Sequence, residues 1–169
     1  MFLKLLICFY LFTVNVYDNQ KVNIKFIEVL YIDWNIEIFN GHLPLKYFFK
    51  NKKYPNYEKL VLTDSNLLIN YRKELLQNNS FKEKVSCDDY RIVCKVNWDN
   101  GVIDTLAFGN CEVMFFNGKY SIPKLKILKI IIPFLKSEYR YEYLLYIKEM
   151  QKLYNIDEIE LPEIEIKDE

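Results

Sequence analysis

The sequence predicts an α+β fold: an antiparallel meander sheet built on two Asn-Gly hairpins, with helices packed on one face. Three observations carry that expectation. Asn100-Gly101 and Asn117-Gly118 each sit between β-prone residues. Asn-Gly is the strongest short-range hairpin signal, because a type I′ turn needs positive φ at both central residues. The chain has only four glycines, and two of them stand at these positions. Apolar residues also recur at helical spacing on both sides of the meander, at Leu67, Leu68, Tyr71 and Leu75 before it and at Tyr139, Tyr143, Ile147, Met150 and Tyr154 after it.

The elements follow in order. Residues 1–17 (MFLKLLICFYLFTVNVY) combine Lys4 with an apolar run from Leu5 to Val16. That run has the length of a signal-peptide core and is shorter than the roughly 20 residues a membrane span needs. No small-residue cleavage site follows it, and an uncleaved anchor or a first core element are the other readings. Export, with residues 1–17 as the leader, is the expectation. Lys21–Asp33 alternates around Val22, Ile24 and Phe26 and reads as a strand. Trp34 to Tyr57 reads as irregular, with Gly41, Pro44 and Pro55 as breakers. Lys59–Leu62 reads as a short strand, and Thr63-Asp64-Ser65 then supplies cap chemistry for a helix running to about Gln77. Asn78-x-Ser80 is formally a glycosylation acceptor, a single match in an Asn-rich chain.

The meander spans Asp88 to Ile122. A two-residue turn at Asn100-Gly101 would set Trp98 opposite Ile103 and Cys94 opposite Ala107, and a reversal at Gly109-Asn110 would start the third strand at Cys111. Pro123 suits a first helical turn, with Ser121 as its cap. Pro133 then ends or kinks that helix, and a second helix runs from Phe134 to Tyr154.

Composition bounds the organisation. With 169 residues, 51% hydrophobic and 17% aromatic, the chain supports one core, placed at residues 18–154. Net charge is zero but uneven. Residues 155–169 carry seven acids against Lys167, and residues 18–154 hold 21 basic and 16 acidic side chains. A mildly basic body with an acidic tail results.

The candidate chemistry is sparse. Cys94 and Cys111, on strands flanking a common neighbour, would lie about 9–10 Å apart, beyond disulfide reach. The reading is therefore three unpaired thiols at Cys87, Cys94 and Cys111. Their spacing does not match a zinc ribbon, and His42 is the sole histidine, so neither metal nor cofactor is implied. His42 has no motif partner for general-base work. Asp88-Asp89 reads as a turn cap, because neighbouring strand-entry residues point to opposite faces. Asn117-Gly118-Lys119 lacks the frame of a phosphate loop and reads as a hairpin. Tyrosines along the last helix read as core in preference to a carbohydrate platform.

Two segments carry what functional signal there is. Lys46 to Lys59 interleaves five lysines with five aromatic residues, and Lys46, Tyr47, Lys50, Lys52, Lys53, Tyr54 and Tyr57 are the candidate binding residues. Glu158–Lys167 alternates Ile or Leu with Glu around Pro162, a pattern suited to an edge strand, to strand addition on a partner, or to folding back over the 46–59 loop. The expectation is a small exported, non-enzymatic domain that binds a macromolecule, in the first instance a protein. The alternative is a hydrolase with carboxylates in no recognisable pattern. A third reading is a binder of single-stranded nucleic acid or an anionic surface through the 46–59 loop, which export disfavours for nucleic acid. Membrane contact would come only through an uncleaved N-terminal segment, and no small-molecule ligand is implied.

Overall fold

A computed structural model describes residues 23–34, 43–50, 57–77, 81–82, 87–157 and 159–160. The expected leader, His42, Lys52, Lys53, Tyr54, Asn78-x-Ser80 and most of the acidic tail lie outside these residues. Six antiparallel strands form one sheet: β1 (Ile24–Tyr31), β2 (Glu58–Leu62), β3 (Tyr90–Trp98), β4 (Ile103–Gly109), β5 (Met114–Phe116) and β6 (Lys119–Ser121), in the spatial order β2-β1-β3-β4-β5-β6. The last four strands are the expected meander, and β1 joins it to the edge strand β2. Helix α1 (Lys46–Lys50) falls in the segment expected to be irregular. Helices α2 (Ser65–Leu75), α3 (Leu125–Ile131) and α4 (Ser137–Tyr154) complete the chain. No helix among the described residues is long and apolar enough to cross a membrane.

The long helices cover one face of the sheet. Ile27, Val29, Tyr31, Cys94, Val96, Leu106 and Phe108 point from the strands into a core shared with Leu68, Tyr71, Leu128, Ile131, Tyr143 and Ile147. Full burial of each such side chain is worth about 2 kcal/mol. In α2, the Asp64 carboxylate accepts the Leu67 amide at 2.8 Å, capping the helix as its sequence implies, and Leu67, Leu68, Tyr71 and Leu75 are its buried residues. Its other end is closed by Lys124, whose ammonium donates to the carbonyls of Glu74, Leu75 and Gln77 at 3.0, 2.7 and 2.6 Å. A cation there satisfies carbonyls that the helix leaves without partners.

Several boundaries differ from expectation for physical reasons. In β1 the register shifts between Ile24 and Phe26. The bulge separates Phe26 from the face that Ile24 and Ile27 bury, so simple alternation fails there. Asn100-Gly101 is part of a three-residue loop. Trp98 N–H bonds the Val102 carbonyl, Gly101 N–H bonds the Trp98 carbonyl, and Gly101 alone in the loop takes positive φ, +82°. This arrangement places Asn97 opposite Ile103 and Cys94 opposite Leu106, one residue away from a two-residue turn. At the second hairpin Asn117 (φ +46°) and Gly118 (φ +86°) link Phe116 directly to Lys119. The third strand of the meander starts at Met114, not Cys111. Ser121 ends β6 buried, with its hydroxyl on the Ile122 carbonyl, and does not cap α3. Pro133 sits in a 3-10 turn (Ile132–Phe134), Leu135 is extended, and α4 therefore begins at Ser137, not Phe134. Helix α4 ends at Asn155 in the left-handed region (φ +49°), with Ile156 N–H returning to the Gln151 carbonyl.

The expectation of unpaired thiols is overturned: Cys87 and Cys111 form a disulfide with Cα atoms 5.8 Å apart. Antiparallel pairing brings the residues before β3 alongside those after β4. The register shift at Asn100-Gly101 and a second one between Tyr90 and Ile92 together bring Cys87 within one residue of facing Cys111, inside disulfide reach. Cys94 is buried and free, and burial pushes its thiol up to about 12.

Candidate interaction surface

A second apolar cluster lies on the opposite face of the sheet. Leu30, Val93 and Ala107 point there and are covered by Leu43 and Phe48 of the segment that carries α1. This cover is pinned by a polar lock at the base of β3. The Asp89 carboxylate accepts the Leu43 amide (3.2 Å) through one oxygen and both the Arg91 guanidinium and the Asn110 side chain (3.0 Å each) through the other. Tyr90 N–H donates to the Leu43 carbonyl. Asp89 and Arg91 are both buried, so the pair must satisfy itself. Asp89 does more than cap a turn. Adjacent to it, the Tyr90 and Tyr120 hydroxyls donate to the Cys87 carbonyl and the Tyr146 hydroxyl to that of Cys111, holding both ends of the disulfide.

Among the described residues the cover extends over part of this face. Register sets Lys59, Leu30, Val93, Ala107, Phe115 and Tyr120 in one row across the sheet, and the Leu43–Phe48 segment packs along it. The next row, Val61–Glu28–Lys95–Thr105, and the one after it, Phe26–Asn97–Ile103, face solvent among the described residues. Val61 is 50% and Ile103 56% exposed, although both are large apolar strand residues. Phe49 (44% exposed) and Tyr57 (37%) belong to the same side of the molecule. Tyr57 is set by its ring contact with the buried Phe48, 6.5 Å between centroids. The Lys95 ammonium lies 4.7 Å above the Phe49 ring and bonds Glu28 at 3.0 Å, so Phe49 adjoins the open rows. Glu28 also pairs with Lys59, and that contact, opposed by burial and aided by Lys95, holds its carboxyl below the usual range. Such half-exposed pairs add little stability, but they fix where charge stands among the apolar residues.

The predicted binding residues divide. Lys46 is exposed, with its ammonium 5.4 Å from the Tyr47 ring, while Tyr47 packs half-buried on the second cluster. Lys50 ends α1, and Tyr57 reaches the surface. Lys52, Lys53 and Tyr54 fall outside the described residues. Lys46, Phe49 and Tyr57 thus share one side of the molecule with Val61, Lys95 and Ile103, and the Phe49 ring meets Lys95. The latter three were not among the candidate binding residues of the sequence; only their place at alternate strand positions, opposite buried neighbours, could have pointed to them. No group of three metal-ligating side chains occurs among the described residues. Comparison of the chain with protein-family models, with curated proteins and with solved structures finds no match.

Proposed function

We propose that this chain is an exported, non-enzymatic interaction domain, and that the open half of its second sheet face binds a protein partner. The observation that carries the reading is that Phe49, Tyr57, Val61 and Ile103 are all exposed on that one sheet face, which also carries Lys46, Lys59 and Lys95. Contiguous exposed apolar surface bordered by charge is the usual mark of a docking site. The excess of lysine suits a partner that presents apolar and acidic side chains together.

Export rests on two supports of different kinds. The apolar run Leu5–Val16 after Lys4 has the length of a leader core. The Cys87–Cys111 disulfide suits an oxidising compartment. Cell fractionation with intact-mass measurement tests this half of the proposal: an extracytoplasmic product lacking the leader supports it, and a full-length cytosolic product refutes it. The binding half is tested by carrying Val61→Glu and Ile103→Glu together. Loss of the co-purifying partner, with Ile69→Glu on the exposed side of α2 as a silent control, supports the face. Retention of the partner by the double variant refutes it, and release of bound nucleic acid in place of protein would favour the basic-aromatic reading.

A further inference from the structure

The helix side carries a separate feature, a groove of about 530 Å³ between α2, α3 and the chain leaving α4. Its helical wall presents Lys73, Lys126 and Lys129 together with Glu74 and Asn70, a net charge of +2, and its apolar lining is Ile130, Ile156 and Ile159. The opposite wall is the departing chain itself, which contributes Asp157 and Glu160. Ile159 is buried in the main core and fixes the direction in which the chain leaves, at the rim of this groove.

We propose that residues 161–169 occupy the groove, as an extended intramolecular strap lying against α2 and α3. Where the chain emerges is the first argument. At Glu160 it is already in the groove, whereas β2 is a sheet strand and α1 packs on the opposite face of the sheet. Length is the second: nine extended residues span about 30 Å, twice the roughly 16 Å of the eleven-residue α2. Charge is the third. The segment brings Glu163, Glu165, Asp168 and Glu169 against Lys167, and continues the acidic wall begun by Asp157 and Glu160 toward a helical wall in which three lysines outnumber the one glutamate, Glu74. Pattern is the fourth. Ile164 and Ile166 alternate with Glu163 and Glu165, so an extended chain can set isoleucines on Ile130, Ile156 and Ile159 while its glutamates meet lysines that reach over the rim.

Lysine acetylation under limiting reagent, read residue by residue by mass spectrometry, tests this. Lys73, Lys126 and Lys129 are expected to react about fivefold more slowly in the full chain than in a form ending at Glu160. Lys46 and Lys59 should be unchanged. Glu163→Gln with Glu165→Gln, which keeps the whole backbone, should move the three rates in the same direction and decides the matter if the shortened form fails to fold. Equal rates at all three lysines in all forms would overturn the proposal. So would protection that appears at Lys46 and Lys59 instead, which would put the strap over the other face.

Discussion

Removing the Cys87–Cys111 bridge is the most informative perturbation of the fold. The two residues are 24 apart in sequence, and closing a loop of that size in the unfolded chain is worth about 3.5 kcal/mol by loop entropy. The double variant Cys87→Ala/Cys111→Ala leaves the Asp89 lock and the meander register in place, so the loss should stay near that value. For a domain of this size it corresponds to a fall of about 10 °C in Tm. Guanidinium unfolding of the oxidised wild type and of the variant measures the difference directly. Thiol labelling of the unfolded, unreduced protein is the companion test. Cys94 should react, while Cys87 and Cys111 should not. A loss under about 1 kcal/mol, or three reactive thiols at these positions, would refute the reasoning.

Other perturbations separate the causes of stability. Asp89→Ala strands the buried Arg91 guanidinium and the Leu43 amide, and should cost about 3 kcal/mol in chemical denaturation while loosening the cover over Leu30 and Val93. Gly109→Ala and Gly118→Ala should differ in cause and size. A Cβ at 109 would stand 1.8 Å from the Asp89 carbonyl oxygen and force the backbone apart, at about 3 kcal/mol. One at 118 meets nothing within 4 Å and costs only the strain of φ +86°, about 1 kcal/mol. Burial raises Tyr71 and Tyr143 well above ordinary tyrosine and Cys94 to about 12. The unfolded chain ionises these groups earlier, at about 8.5–10. Stability is therefore complete below that range and falls progressively as pH rises from it toward the raised folded-state values. Tyrosinate absorbance from the buried rings should appear together with loss of tertiary circular dichroism, and a gradual titration of all tyrosines in the folded state would contradict this.

Much of the framework was legible because its causes are local. The α2 cap needs only Asp64 three residues before Leu67, and the buried face of α2 follows from a 3.6-residue period. The four-stranded meander likewise follows from turn residues between β-prone runs. What was not legible depends on register and on contacts distant in sequence. Whether Asn100-Gly101 closes a two- or a three-residue loop is decided by pairing along β3 and β4. That single residue of shift, with the irregularity at Tyr90, separates a disulfide from three unpaired thiols. Lys46–Lys50 becomes helical because Phe48 has the second cluster to pack on, and Leu43 is tied to Asp89, 46 residues away. The surface was harder still. Lys46 and Tyr57 announced themselves by composition, whereas Val61 and Ile103 look like any core strand residue until their exposure among the described residues is seen.

Protein binding by the open half of the second face can be read out with a photo-crosslinking side chain placed at position 61 or 103 in the producing cell, with positions 69 and 153 as equally accessible controls. One discrete protein adduct is expected from 61 and from 103, and none from 69 or 153. Adducts of equal yield from all four positions, or from the controls alone, would contradict it.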